Sequence, residues 1–145
     1  MSQKIAIVTG ASKGIGLSIA KQLELDGYFV IGTHVREYDD AFKSTIETPS
    51  FKLTRVDASD MGACQTFVDD VIKEHGPISV LVNNAGIVKD QLMMRMSDDD
   101  FKSVLDVNLV GAFNMTKALT KPMLRQRFGS IVNISSVIGL IGNVG

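Results

Sequence analysis

The sequence predicts an α/β fold, a doubly wound parallel sheet with strand order 3-2-1-4-5. Three observations carry that expectation. Short apolar runs rich in Val and Ile alternate with longer helical patterns along the chain, the rhythm of βαβ units. The runs are near-continuously apolar, as strands covered on both faces are. A glycine-rich turn, Thr9-Gly10-Ala11-Ser12-Lys13-Gly14-Ile15-Gly16, joins the first strand pattern to the first helix pattern.

Taken in order, the first strand spans 4–9 (Ile5, Ala6, Ile7 and Val8 at its centre) and the first helix 14–25, ended by Asp26-Gly27. A strand over 28–33 follows, then a helix over 38–47, a strand over 51–56 and a helix over 60–74. His75-Gly76-Pro77 stops that helix with a glycine and a proline that cannot continue it, so His75 reads as a helix-terminal residue. A strand over 78–83 leads towards a long helix over 98–126. Ser97-Asp98-Asp99-Asp100 opens this helix as a capping box with acids in its first turn, a reading preferred to a metal site. Pro122 is expected to kink or interrupt it. The last strand spans 130–135. Right-handed crossovers then give the order 3-2-1-4-5 and put a ligand where strands 1 and 4 diverge, at their carboxyl ends.

Composition narrows the function classes. The 145 residues suit one domain, 1–145, and the net charge of -1 without a basic run argues against nucleic acid or an anionic membrane surface as partner. No apolar stretch approaches a membrane span, and the N-terminus has only a short apolar run before Gly10, which is not a secretory signal. A single cysteine, Cys64, rules out a disulfide framework and fits a reducing, cytoplasmic setting, where it sits inert on a helix.

The chemistry concentrates at the strand ends. A glycine-rich turn opening a helix places free N–H groups and the helix dipole against a diphosphate. Gly10 allows the tight turn, Gly14 the close approach of a cofactor and Gly16 close helix–strand packing. After strand 2 comes Gly32-Thr33-His34-Val35-Arg36, with no acid at the strand end to accept a ribose 2′-OH; Glu37 lies just beyond. Arg36 and Lys13 either converge on a 2′-phosphate, which means NADP(H), or stand as two solvated cations. Asp57, in Val56-Asp57-Ala58, either accepts from an adenine amino group or caps helix 60–74. Asn83-Asn84-Ala85-Gly86 ends strand 4, where two amides can tie loops together and small residues leave room for a ribose.

These motifs together, with Asn108 and Ile134-Ser135-Ser136, resemble the short-chain dehydrogenase/reductase superfamily over essentially the whole chain. Within it the sequence is most similar to β-ketoacyl-(acyl-carrier-protein) reductases, whose loop after strand 4 resembles Gly86 to Met96. The resemblance implies a Rossmann-type domain in which Gly10, Ser12, Lys13, Gly14, Ile15 and Gly16 hold the phosphates of NADPH. It implies that Asp57 and Ala58 border the adenine and that Asn84, Ala85 and Gly86 contact the adjoining ribose. Asn108 would distort its helix and hold a water in a proton relay. Ser136, rather than Ser135, takes the catalytic register, its hydroxyl stabilising oxyanion charge on a substrate carbonyl. Arg127 matches a basic position for carrier-protein docking, or is a solvated arginine. The implied activity is NADPH-dependent reduction of a 3-oxoacyl thioester in fatty-acid synthesis by a cytoplasmic homotetramer, with helix 98–126 at a subunit interface. Its apolar positions Val104, Leu105, Ala112 and Met115 could equally face only the sheet. An acetoacetyl-CoA reductase, another short-chain reductase and a non-catalytic nucleotide-binding fragment are the alternatives.

The sequence departs from the pattern in one respect. No Tyr-x-x-x-Lys occurs in the 145 residues, and Tyr28 and Tyr38 lie at or after strand 2 and cannot replace that motif. Strand 130–135 would form an edge without charges or prolines along it, and Val137 to Gly142 would project over nothing. The expectation is therefore a sheet incomplete on its C-terminal side, part of a parent of roughly 240–250 residues, and inactive alone because general acid catalysis is missing.

Overall fold

A computed structural model of the chain describes residues 4–142. The expected domain span of 1–145 includes residues 1–3 and 143–145, which lie outside the described residues. Five strands, β1 (Lys4–Val8), β2 (Tyr28–His34), β3 (Phe51–Arg55), β4 (Ile78–Asn83) and β5 (Ser130–Asn133), form one sheet in the order β3-β2-β1-β4-β5. Every pairing is parallel, as the sequence predicts.

The two faces of β1 explain the double winding. Ile5 and Ile7 point into one core with Cys64, Phe67, Val68 and Val71 of α3 (Met61–His75) and Met115, Ala118 and Leu119 of a later helix. Ala6 and Val8 point into the other, with Ala20 of α1 (Gly14–Leu25) and Ile46 of α2 (Asp40–Ile46). Both faces of the strand are buried, and each large side chain so removed from water contributes about 1.5–3 kcal/mol.

Helix boundaries follow their caps. Asp39 accepts the Phe42 N–H at 2.8 Å to start α2, and Asp60 accepts the Ala63 N–H at 3.1 Å to start α3. Gly76, at φ 95°, ends α3 directly after His75, which is the helix-terminal residue expected. Ser97 accepts the Asp100 N–H at 3.1 Å to start α4 (Asp98–Leu105), and its hydroxyl donates to the Asp100 carboxylate at 2.8 Å. Of the acids in that turn, Asp100 is thus tied to the cap.

Helix 98–126 is distorted at Asn108, as the family resemblance implies, and not interrupted at Pro122. A π-helical turn, Asp106–Val110, separates α4 from α5 (Gly111–Gln126), and α5 runs unbroken through Pro122. The interruption falls where a side chain has a distant partner (Asn108, below), and not where an N–H is missing. Two short elements go beyond expectation, a 3₁₀ turn at Met93–Arg95 and α6 (Ile138–Ile141), so Val137 to Gly142 is partly helical. β5 is also two residues shorter than expected, and its four residues are exposed. Among the described residues, no helix is long and apolar enough to cross a membrane.

Candidate functional site

The turn after β1 is shaped by what its glycines lack. Gly10 adopts φ 68°, and a Cβ there would fall 2.9 Å from the Ala85 Cα. A Cβ on Gly16 would collide with the Gly10 carbonyl oxygen and Asn84 Nδ2. Gly16 therefore clears room for the turn and for Asn84. Gly14 adopts φ 58° and faces open space. Lys13 occupies the N-cap of α1 without a side-chain cap bond, whereas α2, α3 and α4 are all capped by side chains. The first N–H groups of α1 are therefore left for water or a ligand.

Thr9 and Asn84 lock this turn to the end of β4. The Thr9 hydroxyl oxygen accepts the N–H groups of both Asn84 and Ala85 at 2.9 Å. Asn84 Nδ2 donates to the carbonyls of Thr9 at 2.9 Å and Gly10 at 3.3 Å, leaving Oδ1 as its remaining polar atom. The tying role read for these amides is present. Asn83 turns the other way: its Nδ2 lies within bonding distance of Asn133 Oδ1 (2.8 Å), Thr116 Oγ1 (3.1 Å) and the Ala112 carbonyl (3.4 Å), joining β4 to β5 and α5.

A cavity of about 420 Å³ opens where β1 and β4 diverge, and it brings together Ser12, Lys13, Arg36 and Asn84 to Gly86. Lys13 and Arg36 share its wall, and among the described residues no carboxylate lines it. The nearby acid, Glu37, is turned to Arg55, its Oε1 2.6 Å from Nη1. His34 and Tyr38, which the glycine and strand-end motifs do not single out, line the same cavity. His34 ends β2 and Tyr38 lies in the loop before α2, so no sequence periodicity marks them.

Two adjoining cavities hold Ala58, Asn108 and Ser136, and Asp57 lines neither. Ala58, Ala85 and Asn108 line one of about 370 Å³. Asn114, buried in α5, donates to the carbonyls of Ala58 and Ser59 at 3.0 Å and fixes that segment. Asp57 does not cap α3, a task Asp60 performs; its Oδ1 accepts the N–H and hydroxyl of Ser59 at 2.9 and 2.7 Å. Asn108 and Ser136 meet at a third cavity of about 360 Å³. Asn108 bonds the Ile87 backbone reciprocally, accepting its N–H at 2.8 Å and donating to its carbonyl at 3.0 Å. Ser136 Oγ accepts the Ile138 N–H at 3.2 Å, which leaves its hydroxyl hydrogen to donate elsewhere.

Arg127 lies apart from these cavities. It ends α5 in a left-handed conformation, φ 58°, next to Gln126, whose side chain bonds the Ile78 carbonyl at the start of β4. That is the amino end of the sheet. Cys64 is buried, and burial first, then Asp60 and Asp57, pushes its thiol up to about 11, which keeps it protonated and unreactive. The Asp100 carboxyl is held below its ordinary range, chiefly by its bond to Lys89 and next by that to Ser97.

A five-stranded parallel sheet wound by helices on both faces, with a glycine turn at its switch point, defines a Rossmann-like protein. Residues 4–145 match the short chain dehydrogenase family, and the chain belongs to that family. It is similar to the 3-oxoacyl-(acyl-carrier-protein) reductase of Haemophilus influenzae, with 39% identity over 145 residues, 100% of this chain and 60% of the relative. The Staphylococcus aureus reductase of the same name is 42% identical over 146 residues, 98% of this chain and 59% of the relative. That of Salmonella typhimurium is 39% identical over 142 residues, 98% and 58%. The chain thus spans about 60% of the length of the curated relatives it matches.

Proposed function

We propose that this chain is the cofactor-binding part of an NADPH-dependent reductase of 3-oxoacyl thioesters carried on acyl-carrier protein, acting in fatty-acid synthesis. The observation that supports this most is the cavity between β1 and β4, with a glycine turn, an uncapped helix N-terminus, two cations and no carboxylate. The residues present fit the dinucleotide. Gly10 and Gly16 admit no Cβ, the space beyond Gly14 is open, and the cations suit a 2′-phosphate where a carboxylate would repel it.

In this reading Gly10, Ser12, Lys13, Gly14, Ile15 and Gly16 bind the phosphates, and Arg36 joins Lys13 at the 2′-phosphate. Asp57 and Ala58 border the adenine, with Asn84, Ala85 and Gly86 beside the adjoining ribose. When bound, the cofactor supplies a hydride. Ser136 donates a hydrogen bond to the substrate carbonyl oxygen and stabilises charge developing there. Asn108 keeps one amide hydrogen for a relay water after its two bonds to Ile87. Relatives named as 3-oxoacyl-(acyl-carrier-protein) reductases support the substrate class, and exposed Arg127 is the candidate for docking an acidic carrier.

The reading assigns residues 1–145 to one dinucleotide-binding domain of a cytoplasmic enzyme. Exposed Phe101, Leu105, Leu109 and Phe113, four residues apart along α4, the π turn and α5, support a subunit interface in a homotetramer. Val104 and Ala112 are half-buried and Leu105 exposed, while Met115 faces the sheet. Because the 145 residues contain no Tyr-x-x-x-Lys, this chain is expected to bind NADPH without reducing a 3-oxoacyl thioester. Calorimetric titration tests this, since the chain has no Trp to report binding. NADPH should bind more tightly than NADH, with no turnover of acetoacetyl thioester. Equal affinity for the two, or binding of neither, refutes the reading.

A further inference from the structure

The phosphate-binding turn and its cations leave one part of the first cavity unexplained, an aromatic cluster in its wall. The Tyr38 ring stacks on Phe42, with centroids 4.1 Å apart and 16° between planes, and leans on His34 at 5.0 Å. His34 is itself 5% exposed, and its Nδ1–H donates to the Arg36 carbonyl at 2.7 Å. Its Nε2 is buried without a partner. Tyr38 is thereby held by two rings, and its hydroxyl lies 3.2 Å from Ser12 Oγ. That bond spans from the segment after β2 to the turn after β1, on the cavity that Lys13 and Arg36 also line.

We propose that Tyr38 is a specificity-determining residue that recognises a phosphate monoester on the ligand, the group that separates 2′-phosphorylated from unphosphorylated dinucleotides. The proposal rests on the dinucleotide reading above. Two hydroxyls joined by one hydrogen bond always leave one O–H hydrogen uncommitted. When Tyr38 donates to Ser12, the Ser12 hydrogen is free; when Ser12 donates, the Tyr38 hydrogen is free. Either orientation offers a donor on a wall shared with two cations. With Ser12 donating to the phenol oxygen, a phosphate oxygen takes the Tyr38 hydrogen in a charge-assisted bond, stronger than a neutral one. The Phe42 stack and the His34 contact hold the phenol before any ligand arrives, so little side-chain freedom is lost on binding. A ligand without the 2′-phosphate makes no such bond, so Tyr38 acts on discrimination between ligands.

The test titrates NADPH, NADH, adenosine 2′,5′-bisphosphate and AMP into the chain, into Tyr38→Phe, into Ser12→Ala and into the double variant. Phe keeps the ring stack, and circular dichroism checks that each variant is folded. Tyr38→Phe should lower the NADPH-to-NADH affinity ratio about tenfold, the effect of one lost hydrogen bond to a charged group. The bisphosphate-to-AMP ratio should fall by the same factor. The double variant should lose no more of either ratio than the worse single variant, because the hydroxyls act as a pair. An unchanged ratio in Tyr38→Phe, or equal losses for all four ligands, overturns the proposal and leaves Tyr38 a packing residue. A chain that binds none of the four ligands overturns the dinucleotide reading, and this proposal with it.

Discussion

Replacing Gly16 by alanine tests the geometry of the glycine turn most directly. The new Cβ would press on the Gly10 carbonyl oxygen and Asn84 Nδ2, and would lie 2.9 Å from the Gly10 carbonyl carbon. Backbone atoms move at high cost, so Asn84 is displaced and its bonds to Thr9 and Gly10 are lost, about 1 kcal/mol each. Overpacking adds about 1–3 kcal/mol, and the better helix propensity of alanine offsets up to about 1 kcal/mol. The net loss is about 2–4 kcal/mol. Gly14→Ala meets no atom within 4 Å and carries only its positive φ, about 1–2 kcal/mol. Thermal unfolding followed by far-UV circular dichroism separates them, since each kcal/mol moves Tm by about 2–4 °C in a domain of this size. In an Asn84→Ala background the Gly16→Ala penalty should shrink by about 1–2 kcal/mol, because one colliding partner is gone. If Gly16→Ala proves no worse than Gly14→Ala, or if its penalty is the same with Asn84 removed, the account of this turn is wrong.

Three further outcomes are expected. Joint replacement of Lys13 and Arg36 by alanine should lower the preference for NADPH over NADH, and raised salt should weaken the preference in the unaltered chain, both by titration calorimetry. Asn108→Ala removes both bonds to Ile87, so the Ile87 amide should exchange hydrogen faster while those of α5 keep their protection, with a stability loss of about 2 kcal/mol. Cys64 should resist iodoacetamide at pH 8 until the chain is unfolded. Because the folded thiol holds its proton to about 11 and the unfolded one releases it near 9.0, the contribution is complete below pH 9 and declines as pH rises towards 11. Urea midpoints measured across that range check the sign.

The sheet order was legible because each apolar run has a helical pattern beside it and right-handed crossovers leave few topologies. Gly10 was legible too as the residue of a tight turn, where the structure has φ 68°. What remained hidden depends on partners far away in sequence. The distortion at Asn108 was implied by the resemblance alone, and its tie to Ile87, 21 residues back, has no local signal, while Pro122, the local breaker, sits in a helix that continues through it. Tyr38 meets Ser12 across 26 residues, a contact no periodicity encodes. Asp57 and Asp60 are equally good caps on paper; a helix that begins at Met61 gives the task to Asp60.

The π turn between α4 and α5 also has a consequence for engineering. A π turn takes up one residue more than the α-helical path, and one residue is about 100° of rotation about the axis. The stripe Gly111, Asn114, Met115, Ala118 and Leu119 therefore faces inwards only because that extra residue has been wound in upstream. Deleting any one of residues 106–110 would let the ladder close as ordinary helix, swinging Asn114 away from Ala58 and Met115 out of the interior. Alignment to this segment is thus held by a count of residues, and substitutions there will be tolerated far better than gaps.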